Sequence, residues 1–237
     1  MFRVLLDIVF PPLCHACKTF IPEAGDLHLC STCRGEVPAV SSPLCTVCGI
    51  PFATQGGSDH PCGACLSTHP RFAAARAAVL FDGVARDLIH RFKYDKKVHL
   101  ARPLTLLATE ALTSFAASSG AELLIPVPLH RRRLRERGFN QAVLLGRPLA
   151  KTWGVPLVVD NLNRVRWTEP QVTLSAAERE ANVRGAFALS DPAALRGRKV
   201  LLVDDVYTTG STVAECSRVL RQAGAEAVYV ITVARAA

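Results

Sequence analysis

Beyond Pro70 the chain alternates short aliphatic runs with stretches whose apolar residues recur every three to four positions. That alternation is how a parallel α/β sheet is encoded, strands supplying the runs and amphipathic helices the longer period. Ala77 to Phe81 reads as a strand, and Val84 to Phe92 as a helix with Leu88, Ile89 and Phe92 on one face. Leu100 to Phe115 is a stronger helix, expected to turn Leu100, Leu104, Leu107, Ala111 and Phe115 inward. Pro103 is tolerated in its first turn, where the missing N–H has no helical partner to lose. Strands are expected again at Glu122–Val127, Val155–Val159, Lys199–Val203 and Ala227–Val233, with helices over 139–152 and 211–223. Gly224 is placed to end the last helix. The fold class is α/β with a mostly parallel sheet.

Ahead of Pro70 the texture is different. Eight of the nine cysteines lie between Cys14 and Cys65, among prolines and few periodic runs. The chain therefore divides into a small cysteine-rich module over residues 1–70 and a larger domain over 71–237. Residues 161–187 interrupt the sheet pattern and carry Thr168, Gln171 and a capping box, Ser175-x-x-Glu178. At the N-terminus Val4, Leu5, Ile8 and Val9 suit one short amphipathic helix, expected to dock on the protein's own core, with peripheral membrane association as its rival. Asp7 interrupts that run too early for a signal peptide. No transmembrane segment is expected, since no stretch reaches the ~20 apolar residues a span requires. A cytoplasmic location is the simplest expectation.

Composition adds two constraints. Hydrophobic residues make up 49% of the chain but aromatics only 6%, so the core must be mostly aliphatic. A formal net charge of +8 favours phosphate esters, pyrophosphate, nucleic acid or an acidic membrane surface, without choosing among them.

The cysteines fall in four pairs, Cys14/Cys17, Cys30/Cys33, Cys45/Cys48 and Cys62/Cys65. Each C-x2-C turn can aim two thiolates at one ion, and a second such turn completes a tetrahedral site. Disulfides do not suit an untargeted chain, redox C-x2-C motifs usually come singly, and an iron–sulfur centre is the remaining rival. Two structural zinc ions are expected, pairing the motifs in order; an interleaved arrangement, first with third and second with fourth, stays open. His15, His28, His60 and His69 are surplus to two filled sites. Cys216, between Val213 and Leu220, reads as a small core residue.

The most informative segment is Val200-Leu-Leu-Val-Asp-Asp-Val-Tyr-Thr-Thr-Gly-Ser-Thr212. Four aliphatics make a buried strand with Asp204 and Asp205 at its carboxyl end, where open α/β sheets bind ligands. Tyr207, Thr208, Thr209, Gly210, Ser211 and Thr212 then lead into a helix, offering backbone N–H groups, hydroxyls and a positive dipole end to a phosphate. The carboxylates suit sugar hydroxyls instead, directly or through Mg²⁺. Downstream of the strand ending near Val127, His130 to Arg137 packs Arg131, Arg132, Arg133, Arg135 and Arg137 into eight residues.

This segment resembles the phosphoribosyl-pyrophosphate (PRPP) motif of type I phosphoribosyltransferases. The whole chain is similar to the ComF family associated with DNA uptake in competent bacteria. The likeness rests also on the paired cysteines, Phe92-Lys-Tyr-Asp-Lys96, Ile125-Pro-Val-Pro-Leu-His-Arg131, Arg137-Gly-Phe-Asn-Gln141, Thr168-x-x-Gln171, Glu178-Arg179, Asn182 and Ala186-Phe187. It implies a phosphoribosyltransferase-type sheet preceded by a double zinc ribbon. The acidic pair would hold the ribose 2′- and 3′-hydroxyls and the loop the 5′-phosphate. Val127, Pro128 and the arginines would serve pyrophosphate, the arginines from a mobile loop closing over the site. Residues 161–187 would be a hood that selects an acceptor.

Three functions follow as expectations. The chain binds PRPP with Mg²⁺ and assists entry of single-stranded DNA alongside the DNA-uptake machinery. Alternatively it is an active phosphoribosyltransferase with an unidentified acceptor, or a zinc-dependent nucleic-acid binder. Met1-Phe2 supplies no N-terminal cysteine, which removes the chemistry of glutamine-dependent amidophosphoribosyltransferases.

Overall fold

The computed structural model describes residues 11–22, 25–54, 56–168 and 176–236, so the expected N-terminal helix, Gln171 and Ser175 lie outside the described residues. Two short helices, α1 (Ser31–Gly35) and α2 (Gly63–Thr68), belong to the cysteine-rich part. Strand β1 (Ala74–Leu80) is followed by α3 (Gly83–Tyr94), α4 (Ala101–Ser119) and β2 (Leu123–Pro126). Then come α5 (Arg131–Arg137), α6 (Gln141–Trp153), β3 (Leu162–Arg164), α7 (Ala176–Val183) and β4 (Phe187–Leu189). The chain closes with β5 (Lys199–Tyr207), α8 (Ser211–Gln222) and β6 (Ala227–Arg235).

The main sheet runs β1-β6-β5-β2 with every neighbouring pair parallel, as the sequence pattern requires. Successive strand residues point to opposite faces, so the central strands feed two cores. Leu201, Val203, Ile231 and Val233 face α3, α4 and α6 through Leu88, Phe92, Leu104 and Leu145. Val200, Leu202, Val228 and Val230 face α8 and the 161–189 segment through Val213, Leu220, Leu162 and Phe187.

Three expectations change. In α4 the buried stripe is Leu104, Ala108, Leu112 and Ala116, while Ala111 is exposed and Phe115 only half-buried. Both stripes are helical in spacing, and alanine is too small to mark which one faces the sheet. Val155–Val159 is not a full strand: Leu157 alone bridges to Leu124, whose N–H donates to Pro156 and whose carbonyl accepts from Val158, both at 2.9 Å. The interruption over 161–187 contains a two-stranded antiparallel ribbon of β3 and β4 with α7 between them.

The cysteine-rich part lies against both faces of the sheet. Cys14, Leu29 and Cys33 join the core under α3 and α4, whereas Cys45, Cys48, Cys65 and Phe72 join the core under α8. The segment between also covers the outer edge of β1, with Leu80 N–H donating to Pro38 at 2.7 Å. Gly49 needs its lack of a side chain: at φ +73° a Cβ would overlap the Ala75 carbonyl oxygen, while Ala75 N–H donates to Val47 at 2.6 Å.

Candidate functional site

The eight paired cysteines gather in sequence order, Cys14, Cys17, Cys30 and Cys33 in one group and Cys45, Cys48, Cys62 and Cys65 in the other. Within each group all sulfurs lie within 4.8 Å of one another, which excludes the interleaved scheme. Four sulfurs at ~2.3 Å around a tetrahedral zinc stand ~3.8 Å apart. The Cys17–Cys30 and Cys48–Cys62 pairs measure 3.7 and 3.8 Å. Backbone N–H groups already point at the sulfurs, Cys62 N–H reaching Cys45 Sγ at 3.2 Å and Cys30 N–H reaching Cys14 Sγ at 3.4 Å. Such donors stabilise thiolates, so the donor set fits two closed, structural zinc sites. Among the described residues neither group contains a histidine: His15 packs against His28 and His99, and His60 stacks on Phe52.

A cavity of about 710 Å³ opens beyond the carboxyl ends of β2 and β5. Asp204 and Asp205 line it together with Thr208, Gly210, Ser211 and Thr212. Gly210 caps α8 at φ +79°, and any Cβ there would overlap the Tyr207 hydroxyl, so the turn closes directly over the tyrosine ring. Thr209 stays out of the lining and bonds Ser211 Oγ at 2.9 Å. The helix N-terminus and its hydroxyls can therefore hold one phosphate.

The acidic pair is 9% and 2% exposed, a burial that strands and solvating caps do not need. Asp205 N–H donates to Asp204 Oδ1 at 2.9 Å, and Lys93 Nζ stands 2.9 Å from Asp205 Oδ2. Burial, then the neighbouring Asp205 carboxylate, push the Asp204 carboxyl up to about 7, with Lys93 pulling the other way. Lys93 is the close cation of the pair and Arg137 a more distant one, and hydroxyl donors or a bound cation would further favour the ionised form.

The arginine cluster is a helix rather than a loop. His130 Nδ1 accepts from Arg132 N–H to start α5, and Gly138 at φ +86° ends it. A helix turns side chains about 100° per residue, so the five arginines cannot share one task. Arg133 and Arg137 line the cavity with Val127 and Pro128; Arg131, Arg132 and Arg135 are exposed outside its lining. Arg137 is buried, donates to Gln141 Oε1 at 2.6 Å and lies over Tyr94. Burial lowers its pKa, with Asp205 opposing. From the 161–189 segment Arg164, Trp167 and Thr168 form the far wall, Arg164 bonded to Thr168 and stacked on Phe187.

Lys93, Lys96, Arg164 and Trp167 are therefore site-lining residues that the sequence reading did not single out as such. Lys93 and Lys96 sit in the Phe92–Lys96 run, and their spacing just past a helix's buried face was the available signal. Nothing local marked Arg164, which reaches the cavity only because β3 pairs with β4. Cys216 is fully buried, as expected of a core residue.

Fold and site together define a phosphoribosyltransferase-like domain preceded by a zinc-ribbon module. Family models agree, a double zinc ribbon domain matching residues 5–66 and a phosphoribosyl transferase domain matching 140–237. The chain belongs to the ComF family, whose members include competence protein F and the DNA utilization protein YhgH. YhgH of Escherichia coli (strain K12) is 35% identical over 94% of this chain and 96% of its own length. Competence protein F of Haemophilus influenzae is 35% identical over 90% of this chain and 94% of its own. A purine phosphoribosyltransferase from Pyrococcus horikoshii aligns over 56% of this chain and 73% of its own, at 17% identity and a TM-score of 0.38. Among the described residues no helix is long and apolar enough to cross a membrane.

Proposed function

We propose that this chain binds PRPP or a related sugar phosphate with Mg²⁺ and serves DNA uptake in natural transformation from the cytoplasmic side. The observation that carries the ligand is the buried Asp204–Asp205 pair facing a hydroxyl-rich helix N-terminus across one cavity. On this reading the pair takes the ribose hydroxyls, Thr208, Gly210, Ser211 and Thr212 the 5′-phosphate, and Lys93, Arg133 and Arg137 the pyrophosphate. Asp204 and Asp205 would also hold Mg²⁺, which would supply positive charge to a bound pyrophosphate. The relatives' names speak of competence and of DNA utilization, and DNA uptake is the reading that joins the two.

The same geometry sets a pH dependence. Hydroxyl and cation binding need Asp204 ionised, and in the free protein its carboxyl titrates near 7. Affinity for Mg²⁺–PRPP should rise by about fourfold between about pH 6.5 and 8 and then level off. Calorimetric titration across that range checks it, and affinity that is flat or falls would remove Asp204 from the contact.

DNA has its own candidate surface in the outward arginines of α5. Arg132 lies 4.7 Å over the Trp167 ring, a cation–aromatic platform beside Arg131 and Arg135. If single-stranded DNA crosses it, changing Arg131, Arg132 and Arg135 to alanine should flatten the log–log salt slope of binding by about two units. PRPP binding should survive, because these three lie outside the cavity lining. Fluorescence anisotropy at several salt concentrations decides this, and an unchanged slope moves DNA elsewhere. The cavity also extends past the phosphate loop to Trp167 and Thr168, leaving room for an acceptor. Pyrophosphate release with a panel of bases and amines would identify an active transferase.

A further inference from the structure

The second cysteine group and the phosphate loop share one buried side chain, Arg235, the last residue of β6. It pairs in register with Tyr207 on β5, and the two strands are tied again by Ala236 N–H donating to the Tyr207 carbonyl at 2.9 Å. The residue is only 4% exposed, and its guanidinium makes three contacts of different kinds. Nη1 donates to the Cys48 carbonyl at 2.5 Å. Nη2 stands 3.8 Å from Cys48 Sγ. The guanidinium carbon lies 4.5 Å over the Tyr207 ring. Tyr207 in turn is braced edge-on by Phe72 and sits so close under Gly210 that a methyl group would not fit between them.

A buried guanidinium needs anionic or carbonyl partners, and among the described residues no carboxylate pairs with it. A zinc ion in the second group would hold Cys48 as a thiolate, giving Arg235 a charged acceptor at the contact it already makes. The fork would then be fixed on Cys48 at one end and on the Tyr207 ring at the other. We propose that Arg235 is a positioning residue through which zinc in the Cys45–Cys48–Cys62–Cys65 group holds the phosphate-binding turn at Gly210 in shape. Sugar-phosphate affinity and zinc retention at that group are then linked, each favouring the other, while the Cys14–Cys33 group stands outside the linkage. The inference rests on the sugar-phosphate reading for its ligand but not for its mechanics.

Hydrogen exchange of the full chain tests it without relying on activity. Loop amides 208–213 are followed in wild type, in Arg235→Lys and in the double variant Cys62→Ser/Cys65→Ser, with the strand amides 199–203 as internal control. Arg235→Lys keeps the charge but loses the planar fork and the stack. The loop should exchange at least tenfold faster in both variants while the strand is unchanged, and Arg235→Lys should still carry about two zinc ions. The matched Cys14→Ser/Cys17→Ser variant should leave the loop as in wild type. Should the Cys62/Cys65 variant lose strand protection as well, Arg235→Lys alone decides. Equal loop exchange in wild type and Arg235→Lys would overturn the linkage. Failure of wild type to bind Mg²⁺–PRPP, with the loop response intact, would instead overturn only the ligand.

Discussion

Purified chain should contain about two zinc ions, and strong chelation should unfold the cysteine-rich part while the central strands stay protected. The sizes of the competing terms make this a large effect. A structural zinc site supplies ~10–16 kcal/mol of apparent free energy. Apart from cysteines, the described part of the module buries Leu29 and Leu44, each contributing about 1.5–3 kcal/mol. Without metal it cannot offset the backbone entropy of ordering its turns, ~1–2 kcal/mol per residue. The sheet has its own supply, since Leu201, Leu202, Val228 and Val230 are fully buried within two cores. Metal analysis with thiol counting, followed by hydrogen exchange under chelation, would show the difference. Iron in place of zinc, or one metal with five free thiols including Cys216, would sink the assignment.

How far the sequence alone reaches depends on whether a feature is local. The parallel sheet was readable because Val200–Val203 is an unbroken aliphatic run and Ala227–Val233 an apolar one interrupted only by Tyr229 and Thr232, both largely buried as parallel strands are. The zinc groups were readable because each ligand pair sits in one turn, and only the pairing of turns needed the fold. The acidic pair and the loop were readable for the same reason. What failed was what depends on orientation. The arginine run gives composition but not the helical turn that sends Arg133 and Arg137 inward and Arg131, Arg132 and Arg135 outward. The α4 stripe went wrong at Ala111 because alanines lie on both faces of that helix. Lys93 and Arg235 act on residues more than a hundred positions away, which no local pattern encodes.

Changing Asp204 and Asp205 together to asparagine should abolish Mg²⁺-dependent PRPP binding, by at least a hundredfold, without lowering thermal stability at neutral pH. The two halves of this expectation have one cause. A carboxyl whose folded pKa is raised to about 7, against about 3.9 unfolded, binds its proton more tightly in the folded chain. The contribution of this group to stability therefore falls as pH rises from about 4 to 7, by up to about 1.4 kcal/mol for each pH step of one, and is flat above. Removing that ionisation should leave the variant little changed at about pH 5 and more stable than wild type at about pH 8. One loss opposes the gain: Lys93 gives up its partner Asp205, but its side chain is 18% exposed and can reach water. Asparagine keeps the size and the acceptor oxygen, so the Asp205 N–H bond to residue 204 can survive. What it cannot do is hold a cation or act as a charged acceptor for two hydroxyls, and ligand binding depends on that difference. Paired melting curves at the two pH values, with calorimetric PRPP titration at the higher one, measure both halves. A variant that binds as tightly as wild type takes the ribose away from this pair; one that melts earlier at both pH values makes the pair a structural element of β5.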